Sequence, residues 1–128
     1  MFPIHHVLKK YKNRFKKFKN LKIIKPLNYI DFNSLVLNSK AIYTDSGGIS
    51  EETNFMQKKC FTFRKNTERP ETILSGSNKL LEKNKKSILQ SYKIINSRIN
   101  NNFNLPKLWD GKTSSRIVKI IEKKFCNI

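Results

Sequence analysis

Cysteine is nearly absent from this 128-residue chain. Cys60 and Cys126 are too few and too far apart for a disulfide framework, and they form no CxxC metal or redox motif. Cys60 lies in an apolar run and reads as a buried thiol, which fits a reducing cytoplasm. Long hydrophobic runs are also missing: nothing approaches the ~18 residues of a membrane span, and no apolar h-region or cleavage site marks the N-terminus for secretion. Four Gly and four Pro exclude a low-complexity or collagenous chain. The Lys/Asn clusters are short and broken by apolar residues, so they are not disordered tracts, and no internal repeat is visible. Acid is the scarcest charge, with nine Asp and Glu against 27 Lys and Arg.

The resulting formal charge of +18 commonly signals a polyanionic partner or a phosphorylated ligand. Lysine supplies 22 of the basic residues, Asn and Ile reach 15 each and Ala occurs once, a pattern that A/T-rich codons would produce together. Solvated surface lysines are therefore the favoured reading. Residues 1–25 hold nine Lys/Arg and no acid, with Leu8, Tyr11, Phe15 and Phe18 at helical spacing between them. Such a helix could lie on a membrane or track a nucleic-acid backbone. The favoured reading packs its apolar face on a sheet and turns its lysines to water, with no specific nucleic acid as partner.

Apolar periodicity predicts strands at Met1–Ile4, Leu21–Ile24, Ala41–Thr44, Cys60–Phe63 and Leu80–Leu81. It predicts helices over Val7–Lys19, from Asp31 to about Asn38, over Ile49–Met56, from Pro70, around Ile88–Ile95 and around Ile117–Phe125. Asn100–Asn104 and Leu105–Lys112 read as loop. Pro70 suits the first position of a helix and Glu71 its positive end. Strands alternating with helices argue for βαβ units and a Rossmann-like parallel sheet, an α/β fold within one domain.

The sharpest local signal is Tyr43-Thr44-Asp45-Ser46-Gly47-Gly48-Ile49-Ser50-Glu51-Glu52. A strand ends, two glycines follow and a helix begins, so free N–H groups meet an anion where no Cβ intervenes. Glycine pairs in such loops are more often plain turn chemistry. The spacing matches neither a Walker loop nor GxGxxG, and Ser46 lacks the nucleophile elbow G-x-S-x-G. Glu52, one turn into the helix, can accept two hydroxyl hydrogen bonds, as a ribose offers; the alternative for it, and the preferred reading of Glu51, is an ordinary acid at the helix dipole. Arg69 can offer a fork of donors to a pyrophosphate, or form a surface ion pair with Glu68 or Glu71.

These segments resemble the non-hydrolysing UDP-N-acetylglucosamine 2-epimerases. Phe2-Pro3-Ile4-His5 resembles that family's Pro-Val/Ile-His strand end, and Asp45 to Glu52 its Asp-Ser-Gly-Gly-Ile-Gln-Glu-Glu. Asn66-Thr67-Glu68-Arg69-Pro70-Glu71 resembles its Thr-Glu-Arg-Pro-Glu segment. Asp110-Gly111-Lys112, with Ser114, Ser115, Arg116 and Ile117, resembles its closing block. Three positions depart from the pattern: Ser50 stands for the usual Gln, Leu27 for a common polar residue, and Trp109 in a Tyr-Gly region.

The resemblance implies the C-terminal domain of a two-domain glycosyltransferase-B-like fold, truncated at its N-terminus, with UDP-sugar bound in the cleft between halves. Members invert C2 of UDP-GlcNAc to give UDP-ManNAc by eliminating UDP to a 2-acetamidoglucal and adding it back with C2 protonated on the other face, without a cofactor. Carried over by position, Ser46, Gly47 and Gly48 hold phosphate, Glu52 the ribose and Arg69 the charged part of the substrate. Phe32 aligns beside the uridine, and His5 with a histidine near the interdomain cleft; a solvent-facing or core His5 is an equal alternative. A metal role for His5 and His6 is not expected. The family's acid/base carboxylates lie in the N-terminal half, which becomes the expected partner, and the resemblance leaves a homodimer open. The alternative functions are a non-catalytic UDP-sugar-binding remnant and a basic polyanion-binding domain.

Overall fold

The computed structural model describes residues 1–97 and 103–125. The chain divides into two compact units, Met1–Asn38 and Ser39–Ile128. Both are α/β units with parallel strands, as the alternating pattern implies.

The second unit is built on three parallel strands, β3 (Ala41–Thr44), β4 (Lys59–Thr62) and β5 (Asn78–Leu80), in the order β3-β4-β5. Two helices make the crossovers, α3 (Gly47–Phe55) and α4 (Pro70–Leu74). Ala41 pairs with Lys59 and Thr44 with Thr62, so the ends of β3 and β4 are level. Strand β4 is central and buried throughout, as strands covered on both faces are. Phe61, 2% exposed, stacks on Tyr43 with ring centroids 5.2 Å apart. Helix α5 (Lys85–Asn96) is tied to the sheet by a 2.7 Å bond between the Tyr43 and Ser91 hydroxyls. It is also held by the buried Lys59, whose ammonium donates to the Ile94 carbonyl at 3.1 Å. A cation near a helix C-terminus complements its dipole. Cys60 is buried as the sequence indicates, and desolvation pushes its thiol above its ordinary range, Thr53 and Thr62 pulling weakly the other way; Cys126 lies outside the described residues.

Most of this unit's buried side chains are polar. Thr62 Oγ1 donates to Asn78 Oδ1 (2.8 Å), and Asn78 Nδ2 donates to Thr72 Oγ1 (3.1 Å). Thr72 Oγ1 then donates to the Arg69 carbonyl at 2.8 Å. Asn54, in α3, donates to the Ser77 hydroxyl at 2.6 Å and to that of Ser75. Burying such groups is tolerable because most of them satisfy one another, Asn54 Oδ1 being the exception among those named, and the chain of bonds joins both crossover helices to β4 and β5.

Helix α6 (Thr113–Phe125) buries no residue. Its start is clamped by Arg116, which donates to both carboxylate oxygens of Asp110 (2.9 and 2.8 Å) and to the Leu108 carbonyl (2.9 Å). Gly111 bends between them at φ +74, a backbone conformation suited to glycine. The Asp110-Gly111-Lys112…Arg116 block is thus a helix-start clamp. Part of the expected loop before it, at 100–102, lies outside the described residues.

In the first unit β1 (Phe2–Pro3) pairs in parallel with β2 (Ile23–Ile24). Helix α2 (Tyr29–Leu37) begins two residues before Asp31. Asn28 caps it by accepting from the Asp31 N–H and donating to the Asp31 carboxylate, both at 2.8 Å. The expected single helix over Val7–Lys19 is instead a 3₁₀ helix, His6–Tyr11, followed by the four-residue α1 (Lys12–Phe15). The cations here have no acid for (i, i+4) pairing and repel one another, which weakens a longer helix. Of its apolar residues Phe15 packs, edge-on to Phe2 with centroids 6.1 Å apart. Leu8, Tyr11 and Phe18 are exposed, so the expected apolar face is mostly uncovered within its unit. Among the described residues no helix is long and apolar enough to cross a membrane.

Candidate functional site

Five of the seven candidate residues lie in the second unit, at the carboxyl edge of its sheet, where open α/β sheets bind ligands. Helix α3 starts at Gly47, two residues before the apolar pattern does, with Ser46 as N-cap. A serine there ordinarily accepts a hydrogen bond from the second or third helical N–H. Ser46 makes no such bond. Its backbone N–H is already used, donating to Thr44 Oγ1 at 3.0 Å. The open groups are therefore the Ser46 hydroxyl and the first N–H groups of the helix, on Gly47, Gly48 and Ile49, which have no intrahelical acceptor.

The glycines are informative because the chain's own geometry does not demand them. Neither has a positive φ, and a Cβ built on either meets nothing within 4 Å. Alanine would suit the helix better. What glycine gains is unfilled space beside the backbone at the helix start. Ser50, at the departure from the family's Gln, is buried and donates to the Gly47 carbonyl at 2.6 Å, closing the first turn from inside.

Glu52 is half-buried one turn into α3. No hydrogen bond or ion pair is formed by its carboxylate among the described residues. Glu51 is different. It does not act as a simple dipole acid but stands 2.8 Å from Arg69 Nε across the α3–α4 gap. The expected alternative partners of Arg69, the Glu68 and Glu71 carboxylates, are not used: its Nη1 donates to the Glu68 backbone carbonyl at 3.2 Å. The contact with Glu51 is ionic, since Nε–H is not aimed along it. Sequence spacing could not reveal a pair 18 positions apart that depends on how two crossover helices pack. Arg69 is also fixed from below, its N–H donating to Thr67 Oγ1 at 3.0 Å and its carbonyl accepting from Thr72.

Arg64, read from the sequence only as the start of a polar loop, sits at the same edge. Its Nε–H donates to the Asp45 carbonyl at 2.6 Å, and its Nη1 lies 3.8 Å from the Glu68 carboxylate. It also lines a cleft of about 940 Å³ beyond β4 and β5, with Phe63, Asn66, Leu81, Glu82 and Lys83.

The other two candidates, His5 and Phe32, are in the first unit. His5 is exposed and caps the 3₁₀ helix, its carbonyl accepting from the Leu8 N–H at 2.9 Å. Phe32 is half-buried on α2, whose fully buried residue is Val36. Among the described residues no cluster of three His, Cys, Asp or Glu could hold a metal ion.

The first N–H groups of α3, its twin glycines, the Glu52 carboxylate one turn on and the Arg69 guanidinium paired with Glu51 are thus gathered at one edge of the sheet, the arrangement by which helix starts of parallel α/β folds receive anions. The family profile described as UDP-N-acetylglucosamine 2-epimerase matches residues 1–122, and the chain belongs to that family. UDP-N-acetylglucosamine 2-epimerase of Methanocaldococcus jannaschii is 38% identical over 127 residues, covering 94% of this chain and 34% of that protein. The Methanococcus maripaludis enzyme of the same name is 40% identical over 133 residues, covering 97% of this chain and 36% of its own. The M. jannaschii structure in complex with UDP-GlcNAc and UDP superposes with a TM-score of 0.82 and 37% identity over 95% of this chain and 35% of that one. The Neisseria meningitidis structure bound to UDP-GlcNAc gives a TM-score of 0.67 at 30% identity over 94% and 35%. The chain spans about a third of the length of these relatives.

Proposed function

We propose that this chain is the UDP-gripping part of a UDP-N-acetylglucosamine 2-epimerase, interconverting UDP-GlcNAc and UDP-ManNAc together with an N-terminal epimerase domain that lies outside these 128 residues. The observation that carries the reading is the uncapped start of α3. There the amides of Gly47, Gly48 and Ile49 have no intrahelical acceptor, a Cβ on either glycine would meet nothing, and the Ser46 hydroxyl makes no cap. A diphosphate fits such a helix end without further devices. Glu52 takes the ribose hydroxyls and Arg69 the charged part of the substrate. Phe32 and His5, both in the first unit, are assigned to the uridine and to the interdomain cleft by the family resemblance alone.

The chemistry divides between the two halves. As the bond from C1 to the UDP oxygen breaks, its electron pair goes to the diphosphate. Fixed N–H dipoles at the helix start stabilise that charge without reorganising, and the Arg69 guanidinium, shared with Glu51, adds positive charge beside them. The proton leaving C2 needs a base within hydrogen-bond reach, and that role falls to the N-terminal half. Return of UDP to the 2-acetamidoglucal, with protonation of C2 from the other face, completes the inversion. The overall reaction is redox-neutral and needs no cofactor. The unpaired, buried Cys60 suits a reducing cytoplasm.

Two measurements test this. Calorimetric titration of the chain with UDP should give saturable binding that Glu52→Ala and Arg69→Ala weaken. Mixing with a separately produced N-terminal epimerase domain should give UDP-ManNAc. Binding without turnover would leave a UDP-sugar-binding fragment, and no heat at millimolar UDP would defeat both readings. A salt-sensitive shift of DNA by a chain indifferent to UDP would favour the polyanion reading, for which the exposed Tyr11 and Phe18 amid the cations of residues 1–25 are the supporting observation.

A further inference from the structure

The peptide plane between Asp45 and Ser46 is the last one before α3, and it is gripped at both ends. Its N–H donates to Thr44 Oγ1 at 3.0 Å and its carbonyl accepts from Arg64 Nε at 2.6 Å. The orientation of this plane sets the direction in which the chain enters Ser46, and so where the amides of Gly47, Gly48 and Ile49 point. The grip from Thr44 is local, two residues away. The grip from Arg64 is tertiary, coming from the loop that follows β4.

Backbone pairing delivers Arg64 to that place. Thr44 and Thr62 are register partners, and the Phe63 N–H extends the ladder to the Thr44 carbonyl at 2.8 Å. The next residue beyond the ladder on each strand is then Asp45 on one side and Arg64 on the other. A charged donor makes a stronger bond to a carbonyl than a neutral one, and it adds positive potential beside a turn that is to receive an anion.

We propose that Arg64 is a positioning residue for the phosphate-binding turn, holding the Asp45 carbonyl so that the α3 amides face the diphosphate. This rests on the nucleotide reading above and adds to it a residue that does not itself need to touch the ligand. Arg64 works through the plane of the peptide, so its geometry matters as well as its charge. Lysine carries the charge but not the planar Nε–H at that point of the side chain.

The test uses the 128-residue chain with Arg64→Lys and Arg64→Met, titrated with UDP and with uridine, and followed by amide hydrogen exchange without ligand. Both variants should lose roughly tenfold in UDP affinity, the scale of one charge-assisted hydrogen bond. Uridine affinity should hold. Exchange at the amides of residues 46–49 should quicken. Equal losses for UDP and uridine would mark a general structural role and overturn the proposal, as would full rescue by Arg64→Lys or unchanged UDP binding in both variants. If the wild-type chain binds no UDP, the nucleotide reading fails by itself. The exchange measurement still decides the present one, and unaltered protection at residues 46–49 in both variants overturns it.

Discussion

At the scale of single residues, the two glycines of the turn separate a folding role from a binding role. Gly47 has a helical backbone and room for a methyl group, so Gly47→Ala should leave stability unchanged or raise it by up to about 1 kcal/mol. The same methyl would narrow the approach to the backbone at the helix start and should weaken UDP binding at least about tenfold, since the proposed site depends on close approach to bare backbone. Opposite signs in thermal melting and calorimetry are the expected result. A variant that melts lower while binding normally would mean the glycine serves the turn alone. Thr44 and Arg64 show the complementary case, in which side chains serve the site by orienting a backbone plane rather than by facing the ligand.

At the scale of elements, helices α3 and α4 are held in place by buried hydrogen bonds more than by apolar packing. Thr72 is the junction, accepting from Asn78 and donating to the carbonyl of Arg69. Thr72→Val keeps the shape but leaves the Asn78 amide donor unpaired in the interior, at a cost of about 1–3 kcal/mol, and reduces the Arg69 carbonyl to its single bond from the Thr72 N–H. Urea unfolding should show the destabilisation, and because Arg69 loses its footing, UDP affinity should fall with it; a drop in stability with unaltered affinity would uncouple the network from the site. Helix α6 offers a second test. Its clamp holds the Asp110 carboxyl below its ordinary range, chiefly through the hydrogen bonds from Arg116 and then the backbone N–H of Lys112. The folded value is the lower one, so the stabilisation is present above the ordinary carboxylate range and is lost as pH falls through the folded value. Helix content should therefore decrease on acidification below about pH 4. Asp110→Asn should lower it at neutral pH, and a flat helix signal across that acid range in the wild type would argue against the clamp.

For the whole molecule, the governing quantity is the charge of +18. Like charges at this density destabilise the folded state through mutual repulsion, and salt screens them over ~10 Å at 0.1 M. The melting temperature should rise as sodium chloride goes from low to physiological concentration, whereas UDP affinity should fall over the same interval. A melting temperature that falls with salt would mean that local ion pairs such as Glu51–Arg69, and not global repulsion, dominate the electrostatics. Exposed apolar residues on α6, among them Ile120 and Phe125, add surface that gains by being covered.

The sequence by itself determined the alternation of strands and helices, the place where β3 turns into α3, the burial of Cys60 and the membership of an epimerase family, because these rest on local periodicity and on short contiguous motifs. It read Val7–Lys19 as one helix because spacing registers apolar positions but not the cost of unpaired cations. Tertiary structure alone decided that Glu51 rather than Glu68 or Glu71 meets Arg69, that threonines, serines and asparagines fill the interior of the second unit, and that Arg64 reaches back to Asp45. Each of these depends on strand register and helix packing, which bring together side chains that are distant along the chain. A buried polar group is also tolerated only when such a partner arrives, and no local pattern announces that partner.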